Sequence, residues 1–117
     1  MFNTTKSTTL ILALTVIFAN FLFSNSLSLE DNGDATWNVN YNSEDPIGGF
    51  QFNIDGADIT DASGGAAGDA GFMISASSSL ALGFSLTGAT IPSGEGLLVV
   101  LTLDGDSPIL TGIVISD

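Results

Sequence analysis

The chain of 117 residues has no cysteine, no histidine and one basic residue, Lys6, against thirteen Asp and Glu. Each absence excludes a chemistry. Without imidazole or thiol there is no ordinary base or thiolate nucleophile, and beyond Lys6 there is no amine side chain for a Schiff base. Nor can any Arg or Lys past that point stabilise a transferring phosphoryl group. Paired carboxylates remain a route to glycosidic cleavage, but a small domain with one Trp and one Tyr offers little cleft for a sugar chain. The chain is read as non-enzymatic. Its net charge of −12 repels phosphate backbones and anionic lipid heads, which excludes nucleic acid as a partner. With no disulfide available, a small fold must rest on its core or on a bound ion.

Long apolar runs are also scarce, and the one present is short. Residues 10–23 are apolar for about fourteen positions, where a membrane-spanning helix needs roughly 20. Lys6 precedes the run, and Ser24, Ser26 and Ser28 follow it. That is the layout of a secretory signal peptide, with a positive start, an apolar centre and a small-x-small cleavage site. Ser26 and Ser28 fit the last-but-two and last positions, giving cleavage after Ser28; Ser24 and Ser26 are the rival pair, giving cleavage after Ser26. An uncleaved membrane anchor is the competing reading. Residues 1–28 are thus expected to be the signal peptide, 29–34 a flexible acidic lead-in, and 35–117 an extracellular domain with no membrane association after cleavage.

What remains alternates. Trp37, Val39 and Tyr41 share one face of a strand, with Asn38, Asn40 and Asn42 on the other. Asn42 to Pro46 is turn chemistry. Residues 47–54 form the strand around which the rest is organised: Phe50, Phe52 and Ile54 alternate with Gln51 and Asn53 after the Gly48-Gly49 pair, which permits close backbone approach. The two strands are expected to pair as a hairpin, with a short continuation through Ile59. The Gly-rich stretch 61–71 reads as a loop with one helical turn near Ala66 to Ala70. Phe72, Ile74 and Ala76 mark a short strand. After a Ser77-Ser78-Ser79 turn, Leu80, Leu82, Phe84 and Leu86 alternate with Ala81, Gly83 and Ser85. Ile91 is expected to anchor a crossing into the core. Residues 97–103 are apolar on both faces, as in a central strand. A last strand runs over 110–116 with Gly112 as a bulge. Six or seven strands at this spacing predict an all-β fold, a small two-sheet antiparallel β-sandwich.

Three segments carry a resemblance to a known family. Taken together and in this order, Ile47-Gly48-Gly49-Phe50-Gln51-Phe52-Asn53-Ile54, Gly83-Phe84-Ser85-Leu86 and Gly94-Glu95-Gly96-Leu97-Leu98-Val99-Val100-Leu101-Thr102-Leu103 resemble cohesin domains and the wider group of cohesin-like, carbohydrate-binding-module-like sandwiches. The resemblance covers about residues 37–103. It implies a cohesin-like jelly roll, secretion, no enzymatic activity, and association with an extracellular dockerin-like protein or with polysaccharide. Cohesins are usually longer, so a strand or loop is reduced here, and none of the residues by which cohesins hold dockerins is matched in this chain.

Two constellations are candidate sites. Asp55, Asp58 and Asp61 recur every third residue, and with loop carbonyls they offer hard oxygen ligands of the kind Ca²⁺ takes; the bland alternative is a solvated acidic edge. Asn38, Asn40, Gln51 and Asn53 would lie side by side if their strands paired, presenting donors and acceptors to sugar hydroxyls or to an extended peptide. The alternative for these four is a polar solvent face. Three functions follow as expectations: a protein-docking module of the cohesin type, a carbohydrate-binding module using the amides, or a structural surface component.

Overall fold

A computed structural model describes residues 25–117, so most of the expected signal peptide lies outside the described residues. The elements in order are β1 (Ser26–Asp31), β2 (Thr36–Ser43), β3 (Gly49–Asp55), β4 (Asp58–Ser63), α1 (Gly65–Asp69), β5 (Met73–Ala76), β6 (Leu80–Phe84), β7 (Gly94–Asp104) and β8 (Ile109–Ser116). They form two antiparallel four-stranded sheets, ordered β1-β2-β7-β4 (sheet I) and β5-β6-β3-β8 (sheet II). The two-sheet antiparallel sandwich is therefore the architecture.

The expected hairpin of residues 36–42 and 47–54 does not form. β2 pairs with β1 and β7, while β3 pairs with β6 and β8 in the other sheet. The physical reason is that both strands have a single apolar face. Laid across from each other in two layers, Val39 and Tyr41 meet the same core as Phe50, Phe52 and Ile54, and all five are buried. The connection is pinned by Ser43, itself buried, whose hydroxyl donates to the Asp45 carbonyl at 2.6 Å and accepts from the Asp45 N–H. Ile47 then bridges to Ile91 through two backbone hydrogen bonds of 2.8 and 2.9 Å. Ile91 anchors its crossing as expected.

The lead-in is also more ordered than its composition suggests. Residues 29–31 complete β1, which pairs with β2 at every position from Ser26 to Asp31. The segment around Ile59 is a separate strand, β4, on the edge of sheet I rather than a continuation of β3. The helical turn in the Gly-rich stretch is present as α1, with Ala67 fully buried.

Two bulges tune the layers. Between β2 and β7, Val39 faces Val99 and Asn40 faces Leu97, so Leu98 is the extra residue and both Leu98 and Val99 turn inward. Between β3 and β8 the register shifts past Phe52, and Gly112 takes φ +58°. That left-handed conformation suits glycine, and a methyl group there would sit 2.6 Å from Asn53 Oδ1. The bulge read from sequence at Gly112 is real.

β6 turns its small side inward. Ala81 is fully buried, and an added Cβ at Gly83 would lie 2.3 Å from the Phe50 ring. Phe50 stacks on Phe52 (centroids 6.1 Å, 12°) and on Phe72 (6.3 Å, 16°). This aromatic row fills the space that large β6 side chains would otherwise occupy. Leu80, Leu82 and Phe84 consequently face outward, half-buried.

Candidate functional site

The outward β6 side chains set up the surface of sheet II. Direct cross-strand partners share a face, so the register gives its rows. Ser75, Leu82, Gln51 and Val114 form one row; Met73, Phe84, Gly49 and Ser116 form the next. Leu80, Asn53 and Thr111 make a third, and Asp55 with Ile109 ends the face. Met73 is 52 % exposed, Val114 56 % and Ile109 59 %, a high exposure for large apolar side chains grouped on one sheet. Gln51 and Asn53 stand in the middle of this apolar frame. Among the described residues neither amide has a hydrogen-bond partner, and each is half-buried, with Asn53 Oδ1 packed beside Gly112; amides of this kind offer donors and an acceptor to a ligand. Acidic groups occur only at the ends, at Asp55 and at Asp117 beyond β8.

The outer face of sheet I is built differently. Asn38 and Asn40 both point outward from β2, and both donate to Glu30 Oε1, at 3.2 and 3.1 Å. Asn32 donates to Asn38 Oδ1 at 2.9 Å. These bonds, that from Asn40 first, hold the Glu30 carboxyl below the usual carboxylate range. Asp34, in the β1–β2 turn, is lowered likewise by the Thr36 hydroxyl and then the Thr36 N–H. Beside this network runs an open polar groove of about 540 Å³ lined by Ser26, Ser28, Asn40, Asn42, Glu95 and Leu97.

The four expected amides are thus not one site. Asn38 and Asn40 lie on sheet I and donate to Glu30, and Gln51 and Asn53 lie on sheet II with no hydrogen-bond partner among the described residues. Nor are the three aspartates brought together. Asp55 ends β3 in sheet II and accepts the Thr111 hydroxyl at 3.2 Å, while Asp58 and Asp61 belong to β4 in sheet I. Among the described residues no three acidic side chains converge in a way that would hold a metal ion. Asp58 instead stands directly opposite Asp104 across the β4–β7 ladder.

The sequence pattern names Gln51 and Asn53 as candidates but not the apolar side chains that share their face, Met73, Leu82, Phe84, Ile109 and Val114. One signal was available. β6 alternates large with small residues, and a glycine inside a strand often marks a place where another group approaches closely, here the Phe50 ring. The chain matches no known family, no curated protein and no solved structure with which it was compared.

Proposed function

We propose that this chain is a secreted, non-catalytic docking domain of the cohesin-like kind, and that the outer face of sheet II receives an extracellular, dockerin-like protein partner. The observation that carries this is the combination on one face of exposed Met73, Ile109 and Val114, outward Leu82 and Phe84, and the amides of Gln51 and Asn53, which have no hydrogen-bond partner among the described residues. An apolar centre with a few free hydrogen-bonding groups is the anatomy of a protein contact, not of a solvated sheet. The partner that fits presents apolar side chains to this centre and Lys or Arg to its acidic ends. The domain has no basic side chain after Lys6 to oppose such a partner, and the attraction weakens with salt.

The test is retention of protein from the native extracellular medium on the immobilised domain. Leu82→Asp and Val114→Asp are expected to weaken retention by about 30-fold, the effect of losing a central contact of roughly 2 kcal/mol. Asn38→Ala and Asn40→Ala on sheet I are expected to leave it unchanged. The reverse pattern would move the docking surface to sheet I.

A second reading has one observation in its favour, the polar groove beside Asn40 and Asn42. It suits a polysaccharide bound through hydroxyl groups. On this reading Asn40→Ala with Asn42→Ala abolishes retention of soluble polysaccharide while the melting temperature holds, and the sheet II variants have no effect.

A further inference from the structure

The register of β1 discriminates between the two serine pairs at the end of the leader. Leu27 lies opposite Tyr41, is 8 % exposed, and belongs to the same buried cluster as Val39, Tyr41 and Leu101. Leu29, opposite Val39, packs against that cluster. Ser26 and Ser28 alternate with these leucines and face the groove on the outside of sheet I. A cut after Ser28 would remove Leu27 from the core, leave Tyr41 uncovered at the sheet edge, and reduce β1 to its last residues. A cut after Ser26 keeps Leu27 and gives up only the outward Ser26, opposite Asn42, together with the exposed hydrogen bond from the Glu44 N–H to Asn25 Oδ1.

We propose that the leader is removed between Ser26 and Leu27, so that the mature chain starts on the residue that closes the core beside Tyr41. Ser24 and Ser26 then occupy the two small-residue positions of the cleavage site. The inference rests on the secretory reading of residues 1–28. The step is a hydrolysis by a leader peptidase of the secreting cell. Water delivers its hydroxyl to the Ser26 carbonyl carbon, the Ser26–Leu27 bond breaks, and the remaining hydrogen goes to the Leu27 nitrogen, which becomes the α-amine. Because Lys6 leaves with the leader, that α-amine is the mature chain's single amine. Its neighbour Ser28 lines the groove with Asn42 and Glu95.

The single amine makes the test direct. The full chain is expressed in a secreting host, recovered from the medium, reacted with an amine-specific reagent and mapped by peptide mass spectrometry. One label, on Leu27, is expected. A label on Leu29, or on any other residue past Ser24, overturns the proposed position and leaves secretion standing. Recovery only with the cells, with Met1 and Lys6 labelled, overturns the secretory reading and this inference together. An independent readout comes from Leu27→Ala in the full chain. The secreted protein is expected to melt several degrees lower than the parent; an unchanged melting temperature would mean that residue 27 departs with the leader, which overturns the proposal.

Discussion

Gly83 and Phe50 decide which way the surface of sheet II faces. The Phe50 ring lies where a β6 side chain would be, so Gly83→Ala forces overlap against a ring already stacked on Phe52 and Phe72. It is expected to lower stability by about 1–3 kcal/mol in denaturant titration. Phe50→Leu in the same chain should recover part of that loss, a coupling that a double-mutant cycle reads out. Ala at Phe52, fully buried beside that ring, is expected to cost about 3–5 kcal/mol. Glu30 supplies a pH signature. Its carboxyl is held low by Asn40 and Asn38, so its contribution is complete above the ordinary glutamate range and is lost as pH falls through the lowered folded value. The melting temperatures of the parent and Glu30→Gln should therefore differ by a constant amount from neutral pH down to that range and converge in stronger acid. A gap that instead widens in acid would contradict the bonding around Glu30.

At the scale of elements, the sequence reveals strands better than partners. The alternation of Trp37, Val39 and Tyr41, the central run of β7, the Ile91 anchor and the Gly112 bulge are each written in a local pattern and are found in place. The neighbour of β2 is not local information. Two single-faced strands joined by a turn suit a hairpin and a layer crossing equally, and only the shared core around Phe52 and Val99 selects the crossing. β1 was obscured for another reason: Leu27 and Leu29 alternate with Ser26, Ser28 and Glu30, but the serines also carry the cleavage pattern and the acidic residues that follow resemble a linker. The outward turn of Leu80, Leu82 and Phe84 depends on the volume of Phe50, a residue of another strand. Element pairing also leaves a removable strain. Asp58 and Asp104 stand directly opposite each other on β4 and β7, and like charges in that position repel. Asp58→Lys is expected to raise stability by about 0.2–1 kcal/mol at neutral pH, and to lose that gain in high salt.

For the molecule as a whole, charge is distributed rather than balanced. All thirteen carboxylates follow Glu30 or are Glu30 itself, and no basic side chain stands among them. The repulsion this creates destabilises the compact state, so the melting temperature is expected to rise between about 0.01 M and 1 M sodium chloride as the screening length falls from roughly 30 to 3 Å. The same distribution leaves the centre of sheet II free of charge while the rest of the surface repels acidic neighbours. A face that is apolar and uncharged at its centre, with the amides of Gln51 and Asn53 on an otherwise acidic domain, is a place where a partner can desolvate without burying a carboxylate.

Met73 tests that claim most directly. It lies on this face, 52 % exposed, and with Met1 it is one of the chain's two methionines, so the sandwich of residues 26–116 carries a single thioether. Its rate of sulfoxide formation under mild peroxide is measured by mass spectrometry for the free domain and for the domain loaded with protein from its native medium. Docking on sheet II is expected to slow oxidation of Met73 severalfold, and prior oxidation to weaken retention, since the sulfoxide is polar. Equal rates in the free and loaded domain, with retention undiminished by oxidation, would contradict docking on this face.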